Sequence, residues 1–181
     1  MSEIDKYYIE RCLDGHPDDF RYLVGRYQSV LLANLAGKLG NMDHAEEAAQ
    51  EAFVRAYFNM DKLKKPHSFF SWLLGIADHV AKEFRRKEQI RLRREDIRSY
   101  TDESTPAELS ADFVLEKAIA ELPESYRKIV LLRYYGQQSC NKIAVQLDMP
   151  IGTITKQLSR AYVMLRDSLQ RQQAEVERGV K

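Results

Sequence analysis

The stretch Leu122–Leu169, LPESYRKIVLLRYYGQQSCNKIAVQLDMPIGTITKQLSRAYVMLRDSL, decides the fold of the C-terminal part of the chain. Pro123 suits the first turn of a helix, where its missing N–H would have no partner in any case, and Gly136 ends that helix. Ser139 is a favourable N-cap for a second helix. Pro150 disfavours helical geometry at the residue before it, so the sequence predicts a sharp turn and then a third, longer helix.

The third helix has one apolar face and one polar face. Its apolar residues recur every three or four positions and therefore share one side: Ile154, Leu158, Ala161, Leu165 and Leu169. The residues that point away from that side are Thr153, Lys156, Ser159, Arg160 and Val163. This outline is typical of a helix-turn-helix, whose last helix enters the DNA major groove. Cations and small hydroxyl groups suit phosphate and base-edge contacts, although an ordinary amphipathic helix with a solvated face has the same spacing.

The charges of the 181-residue chain are unevenly distributed, although its net charge is only +1. The segment 43–51 has four carboxylates and no Lys or Arg, whereas 82–94 has seven cations and two carboxylates. Such asymmetry indicates different partners at different places. No strand-type alternation is sustained, so we predict an all-α chain.

Cysteine usage and hydropathy exclude several classes of protein. Cys12 and Cys140 lie far apart and outside any Cys/His cluster, which argues against a disulfide scaffold and a zinc site. There is no apolar run of about 18 residues and no signal segment at the start. We therefore expect a soluble, cytoplasmic protein with no membrane insertion, no metal and no cofactor.

An acidic helix, DHAEEAAQEAFVRAYFNM, begins at Asp43. Asp43 is a favourable N-cap, and Glu46 follows three residues later in a capping-box arrangement. Alanines and Phe53 form one face of this helix. The polar residues opposite are Asp43, Glu46, Glu47 and Gln50, with Glu51 at the edge. Carboxylates in the first turns complement the helix dipole, but this segregated face could equally dock on a basic protein surface.

The helix FFSWLLGIADHVAKEFRRK, which begins after Ser68, combines aromatic and basic residues. Its buried stripe is predicted to run from Phe69 to Phe84. One flank carries the residues Trp72, His79, Lys82, Glu83 and Arg86. An indole, an imidazole and two cations on one face suit unstacked bases and backbone phosphates, although a single tryptophan is more often part of a core.

The composition changes after the basic run, where SYTDESTPAELS (99–110) is polar and lacks periodicity. This segment predicts a flexible linker between two small helical domains. We place the first domain at 1–96, the linker at 97–111, the second domain at 112–171 and a polar tail that frays at 172–181.

Three of these motifs, in this order, resemble bacterial RNA polymerase sigma factors of the small extracytoplasmic-function (ECF) type. The segment DHAEEAAQEAFVRAY is similar to the acidic helix that binds the polymerase clamp. The segment FFSWLLGIADHVAKEFRRK resembles the helix that melts and reads the promoter −10 element. The stretch LPESYRKIVLLRYYG with IAVQLDMPIGTITKQLSRAY resembles the domain that reads the −35 element. The resemblance extends from about Asp18 to Leu169.

The resemblance implies a dissociable specificity subunit that has no catalytic activity and loads core polymerase onto promoters. The acidic face (Asp43, Glu46, Glu47, Gln50 and Glu51) would contact the clamp of the largest subunit. The second domain would bind the flap of the second largest subunit. The flank Trp72, His79, Lys82, Glu83 and Arg86 would melt the −10 element, where a base is flipped at a cost of a few kcal/mol. The −35 contacts would be Thr153, Thr155, Lys156, Ser159 and Arg160, and an anti-sigma factor would hold the protein inactive.

The chain departs from the family pattern at two places. Asp78-His79 stands where the −10 helix usually has Arg-Asn, and the recognition helix has Thr155, Lys156 and Gln157 instead of Lys-Ser-Arg. Arg160 is retained. The promoter sequence of relatives therefore does not transfer to this chain.

Two other functions fit parts of the sequence. One is a stand-alone helix-turn-helix regulator, which would bind an operator without core polymerase and as a dimer on two half-sites. The other is an α-helical enzyme in which His79 and Glu83 form an acid–base pair. No nucleophile arrangement, metal-spaced cluster or Gly-rich phosphate loop in the sequence supports the enzyme.

Overall fold

The computed structural model describes residues 2–95 and 114–179, which belong to two separate compact units of helices. No strand occurs in these two ranges, so the prediction of an all-α chain with two helical domains is confirmed. The predicted linker, 97–111, lies outside the described residues.

The N-terminal unit is built from four α-helices within 2–95: α1 (Ser2–Leu13), α2 (Phe20–Leu39), α3 (Met42–Phe58) and α4 (Phe69–Glu95). Short 3₁₀ turns precede α2 and α4. Helix α2 ends at Gly40, whose φ of +68° lies in the left-handed region that favours glycine. The Gly40 N–H donates to the Ala36 carbonyl at 2.9 Å, which closes the last turn.

Helix α3 begins at Met42, and its N-cap lies two residues earlier than the sequence predicts. Asn41, not Asp43, is the N-cap, and its side-chain oxygen accepts a hydrogen bond from the His44 N–H at 2.9 Å. Asn and Asp are about equally good caps, and the preceding Gly40 turn brings Asn41 to the capping position. The predicted cap at Asp43 is therefore wrong, and the Asp43 side chain is exposed.

The core of the N-terminal unit lies where α2, α3 and α4 pack against one another. Helix α3 contributes small side chains, and Ala45, Ala52 and Ala56 are fully buried. Small residues let the neighbouring helices approach closely, so the larger side chains of α2 and α4, such as Leu31 and Leu73, fill the interior. This packing fixes α3 and α4 side by side and sets the positions of their outer faces.

The C-terminal unit has four α-helices within 114–179: α5 (Val114–Glu121), α6 (Glu124–Tyr134), α7 (Cys140–Leu147) and α8 (Ile151–Gly179). Helices α5, α6 and α7 all pack against α8. Their fully buried side chains include Ile119, Ile129, Ile143 and Ile154.

Helix α8 continues beyond the predicted end of the second domain. It extends to Gly179 and thus includes most of the segment that was predicted to be a frayed polar tail. The sequence QRQQAEVERG contains no proline, and Gln, Arg, Glu and Ala all favour helices. Composition alone therefore does not locate the end of this helix, and residues 180 and 181 lie outside the described ranges.

Candidate nucleic-acid and protein-binding surfaces

Helices α7 and α8 are joined by the three residues 148–150. Ser139 caps α7, as predicted, and its Oγ accepts from the Lys142 N–H at 3.3 Å. At the other end Asp148 adopts a left-handed conformation with φ of +52°, which Asp tolerates better than most residues because its short polar side chain can hydrogen-bond locally. Pro150 then precedes α8. This turn gives the outline of a helix-turn-helix.

The buried stripe of α8 agrees with the sequence prediction for four of its five residues. Ile154 and Ala161 are fully buried, and Leu158 and Leu165 are 8% exposed. Leu169 is only half-buried, whereas the neighbouring Ser168 is 5% exposed and its hydroxyl donates to Glu121 of α5 at 2.8 Å. Sequence periodicity missed this residue because a serine in the apolar stripe is buried only where a partner satisfies its hydroxyl.

The predicted −35 residues lie together on the opposite face of α8. Thr155, Lys156, Ser159 and Arg160 are exposed, and Thr153 is half-buried. The Thr155 hydroxyl donates to the Gly152 carbonyl at 3.1 Å. Within the described ranges, Lys156 and Arg160 form no ion pair. Their charges are therefore available to an external anion.

The predicted −10 residues lie along α4. Trp72 is half-buried, with its ring centroid 6.1 Å from that of Phe69, while His79, Lys82 and Arg86 are exposed. His79 Nδ1 lies 2.8 Å from the Gly75 carbonyl oxygen. A carbonyl only accepts hydrogen bonds, so Nδ1 carries a proton and Nε2 is directed to other partners. Lys82 and Arg86 make no ion pair with another residue of the described ranges.

Glu83, also predicted at the −10 surface, is bound by a residue of another helix. Arg55 of α3 donates from Nη1 and Nη2 to the two carboxylate oxygens of Glu83, at 2.8 and 2.7 Å. The hydrogen bonds from Arg55 lower the pKa of the Glu83 carboxyl. The same interactions raise the pKa of Arg55, so both groups stay ionised at neutral pH. Glu83 is thus held by Arg55 and not by His79, which weakens the acid–base pair that an enzyme would need.

The acidic face of α3 separates into free and paired carboxylates. Asp43, Glu46, Glu47 and Gln50 are exposed, and none of the three carboxylates forms an ion pair in the part of the chain that the structure describes. Glu51 is half-buried and accepts a hydrogen bond from Arg55 Nε at 2.6 Å. Sequence reasoning missed Arg55. The i,i+4 spacing of Glu51 and Arg55 predicts their pair, but nothing in the sequence predicts the link to Glu83.

An apolar groove of about 660 Å³ lies beside this acidic face. Glu46 and Gln50 form its polar rim, and its apolar lining includes Phe53, Val54 and Phe58 of α3. Phe58 is 75% exposed and Val54 is 49% exposed. The acidic face therefore continues into exposed apolar surface, a combination that is typical of protein-binding sites.

Asp78, which stands where the family usually has Arg, forms an ion pair with another helix. Lys38 Nζ lies 2.5 Å from Asp78 Oδ1, and the two side chains are 7% and 14% exposed. Asp78 thus joins α4 to the end of α2, while the next residue, His79, is exposed. Of this departing pair, only His79 is on the outer surface of the helix.

No group of three or more His, Cys, Asp or Glu residues among the described residues could hold a metal ion. No described helix is both long enough and apolar enough to cross a membrane.

Two family models match the chain. The model described as sigma-70 region 2 matches residues 23–90, which include all of α3 and most of α2 and α4. The model described as sigma-70, region 4 matches residues 112–165, which include α5 to α7 and the first half of α8.

Curated relatives match over nearly their whole length. The chain is 28% identical over 184 residues to the ECF RNA polymerase sigma factor SigW of Bacillus subtilis, which covers 93% of this chain and 98% of SigW. It is 29% identical over 178 residues to the ECF RNA polymerase sigma-E factor of Escherichia coli K12, with coverage of 89% and 93%.

Two solved structures share the fold. One is the sigma factor RpoE of Bartonella quintana in complex with the anti-sigma factor NepR, with a TM-score of 0.55, 22% identity and coverage of 84% of this chain and 97% of that chain. The other is CnrH in complex with the cytosolic domain of CnrY, with a TM-score of 0.53, 20% identity and coverage of 92% and 97%.

The region 2 and region 4 models occur once each, in the order that the three sequence motifs predict, and together they span more than half of the chain. A stand-alone regulator accounts for the helix-turn-helix but not for the region 2 match, and it is not favoured. The chain therefore belongs to the sigma-70 family, as an RNA polymerase sigma factor of the extracytoplasmic-function type.

Proposed function

We propose that this sigma factor binds core RNA polymerase in the cytoplasm through α3 and directs it to promoters through α4 and α8. It acts as an initiation factor without catalytic activity of its own. The observation that supports this best is that the N-terminal unit presents two surfaces of opposite charge on neighbouring helices. The free carboxylates of α3 suit a basic protein surface, and the free cations of α4 suit DNA phosphates.

The acidic face is the proposed contact with the clamp of the largest polymerase subunit. Asp43, Glu46 and Glu47 have no ion-pair partner within the described ranges. A cationic partner can therefore form ion pairs with them without first breaking an internal pair. The apolar groove beside them would add buried area, since charge complementarity mainly sets the association rate and the specificity of an interface.

The flank of α4 is the proposed −10 surface. Trp72 offers an aromatic ring for stacking, and Lys82 and Arg86 offer charge to the backbone of an unpaired strand. His79 Nε2, which in the neutral ring accepts hydrogen bonds because Nδ1 carries the proton, would contact a base edge or a phosphate-bound water. Glu83 belongs to this surface as well, and its carboxylate is held in place by Arg55.

The exposed face of α8 is the proposed −35 surface. Lys156 and Arg160 are one turn apart and would contact phosphates or guanine edges, and Thr153, Thr155 and Ser159 would make shorter polar contacts. With two cations on this face, the salt-dependent phosphate contribution is small.

A second apolar groove, of about 330 Å³, lies on the C-terminal unit between α5, α6 and α8. Leu115, Tyr134 and Tyr162 line it and are 38%, 61% and 45% exposed. We assign it to the flap of the second largest polymerase subunit. The two grooves would also be available to an anti-sigma factor, a class of protein that is bound to RpoE of Bartonella quintana in its solved structure.

The domain assignment is part of this proposal. Residues 1–96 would form the polymerase-binding and −10 domain, 97–111 the linker and 112–171 the −35 domain. The family matches at 23–90 and 112–165 support this division.

The proposal is tested by adding the purified protein to core polymerase and sequencing the run-off transcripts from genomic fragments. We expect initiation at a defined set of promoters that core polymerase alone does not use. Tight, specific DNA binding by the protein without core polymerase, and no promoter-dependent initiation with it, would support a stand-alone regulator instead.

A further inference from the structure

The guanidinium of Arg55 joins two carboxylates that belong to different proposed surfaces. Its Nε donates to Glu51 Oε1 at 2.6 Å, within α3. Its Nη1 and Nη2 donate to Glu83 on α4 at 2.8 and 2.7 Å. Arg55 therefore holds one side chain of the polymerase-facing set and one side chain of the promoter-facing set.

This cluster has two negative charges and one positive charge, so the two carboxylates share a single cation. The side chains of Arg55, Glu51 and Glu83 are 36%, 42% and 49% exposed. Exposed ion pairs are individually weak because water screens them. A charged partner that approaches from outside can therefore replace one of the two pairs without unfolding the helices.

We propose that Arg55 is a positioning residue that couples polymerase binding to promoter capture. This inference rests on the proposed function of the two surfaces. When a cation of the polymerase clamp binds Glu51, this cation replaces Arg55 as the ion-pair partner of that carboxylate. The Arg55 guanidinium then pairs with Glu83 alone and neutralises the Glu83 carboxylate more completely.

The consequence for DNA follows from charge. Glu83 lies on the same flank of α4 as Lys82 and Arg86, and an unneutralised carboxylate there repels the phosphates that these two cations attract. Once Glu51 has bound polymerase, Arg55 interacts with Glu83 alone and reduces this repulsion. The −10 strand therefore binds better when polymerase is bound. By thermodynamic linkage, DNA on α4 also favours the contact between Glu51 and polymerase.

A purely structural role for Arg55 makes a different prediction. If Arg55 only braced α3 against α4, its replacement would lower the stability of the N-terminal unit and would weaken both surfaces together. The effects of changing Glu51 and Glu83 would then be independent of each other. Coupling through a shared cation instead requires that the effect of one carboxylate depends on the presence of the other.

The test is a double-mutant cycle that is measured in two backgrounds with the free full chain, in which no polymerase cation binds Glu51 and the two carboxylates still share Arg55. Wild type, Glu51→Gln, Glu83→Gln and the double variant are titrated with a forked promoter fragment whose −10 segment is single-stranded. The same four chains are then prepared with Arg55→Gln. We expect the two glutamine substitutions to be non-additive by about twofold to fivefold when Arg55 is present, the size of one exposed ion pair, and additive when Arg55 is replaced.

Additive effects in the presence of Arg55, or the same non-additivity without it, would overturn the coupling. Glu88→Gln is the matched control, because Glu88 is also on α4 and is paired, with Arg91, outside this cluster. It should combine additively with Glu51→Gln in both backgrounds. Thermal unfolding of each chain shows whether a variant acts by loss of folding.

Failure of the proposed function has a different result. If wild-type chain neither binds core polymerase nor gives promoter-dependent transcripts, the surfaces themselves are wrongly assigned and the coupling falls with them. If wild type is active and the cycle is additive, only the role of Arg55 is wrong.

Discussion

Tyr27 of α2 donates its hydroxyl hydrogen to the carboxylate of Asp5 in α1, with an Oη to Oδ2 distance of 2.5 Å. Arg26 Nη1 donates to the other carboxylate oxygen at 2.9 Å. Asp5 is 4% exposed and Tyr27 is 1% exposed. Because a buried carboxylate is costly unless it is paired and hydrogen-bonded, these two partners make Asp5 a specific anchor of α1.

Replacement of this anchor should destabilise the N-terminal unit. Tyr27→Phe removes one hydrogen bond and should lower the free energy of unfolding by about 1 kcal/mol. Asp5→Ala should cost about 2–3 kcal/mol, since it leaves the buried Tyr27 hydroxyl without its acceptor. Urea unfolding followed by the fluorescence of Trp72, the only tryptophan of the chain, measures this unit selectively.

The exposed carboxylate Glu10 of α1 is the matched control for this prediction. It pairs with Lys6 at 3.8 Å, and both side chains are about half exposed, at 55% and 47%. Glu10→Ala should change the free energy of unfolding by less than about 0.5 kcal/mol. Equal effects of Asp5→Ala and Glu10→Ala would contradict the anchor.

Alkaline pH should weaken the same unit. Burial, together with the hydrogen bond to Asp5, raises the pKa of the Tyr27 hydroxyl well above its ordinary value near 10. The protonated tyrosine is thus favoured in the folded state, and its contribution is fully present below about pH 10. Above this pH the unfolded chain ionises Tyr27 while the folded chain does not, so the free energy of unfolding falls.

Urea unfolding at a series of pH values checks this prediction. The decline above about pH 10 should be shallower in Tyr27→Phe than in wild type. In the C-terminal unit, burial and nearby Glu116 raise the pKa of Tyr135 to about 12, so Tyr135→Phe should have a similar effect there, followed by circular dichroism because Trp72 reports only on the N-terminal unit. An unchanged slope in Tyr27→Phe would mean that the decline comes from other groups.

Local features of the fold were predictable from the sequence, because they depend on residues close together in the chain. Ser139 caps α7 and the Pro150 turn precedes α8, as the sequence indicates. The cap of α3 was misassigned because Asn41 and Asp43 have nearly equal capping preferences. The choice between them depends on the turn at Gly40.

Contacts between helices were not predictable from the sequence. Arg55 and Glu83 are 28 residues apart and meet only because α3 and α4 pack side by side. Asp5 would be assigned to the surface on its charge, yet it is buried by partners more than 20 residues away. Periodicity defines which face of a helix is apolar, but it carries no information on which charged residue of another helix lies opposite.

Replacement of Lys156 and Arg160 by Ala should lower promoter use without changing core polymerase binding. Both side chains are exposed on α8 and have no ion-pair partner in the described ranges, so truncation should not affect folding. If both contact phosphates, the slope of log affinity against log salt concentration should fall by about 2. Holoenzyme binding to a duplex promoter at several salt concentrations gives this slope.

Arg171→Ala is the control on the same helix. Arg171 lies about 16 Å beyond Arg160 along α8, at 1.5 Å per residue, and therefore beyond the proposed DNA contacts. It is also exposed. Its slope should equal that of wild type. If the Lys156 and Arg160 variants keep both the wild-type slope and full dependence on the −35 element, α8 reads DNA with other residues.

Charge reversal at Glu47 should weaken the binding of core polymerase. Glu47 is exposed on α3 and has no ion-pair partner in the described ranges, so Glu47→Lys should change the stability of the unit by less than about 0.5 kcal/mol. A like charge against a basic partner is unfavourable, and we expect a loss of at least about tenfold in affinity. Glu10→Lys on α1 is the control, and an equal loss in both variants would indicate a non-specific effect of net charge.

Binding of a −10 single strand should quench the fluorescence of Trp72. Its indole is half-buried on the flank that carries Lys82 and Arg86, and a base that stacks on it would change its environment directly. Because no other tryptophan is present, the signal from the free chain is unambiguous. Titration with a non-template −10 oligonucleotide, chosen from the run-off promoters, should give saturable quenching that duplex −35 DNA does not produce.

The same titration separates stacking from charge. Stacking contributes about 1–3 kcal/mol per base when it is measured by alanine substitution, so Trp72→Ala should weaken binding by about 5-fold to 150-fold at every salt concentration. This variant is followed with a labelled oligonucleotide. Lys82→Ala should instead weaken binding mainly at low salt, because its contribution is electrostatic. If wild-type fluorescence does not respond to saturating oligonucleotide, Trp72 does not stack on a base of the −10 strand and belongs to the packing around Phe69.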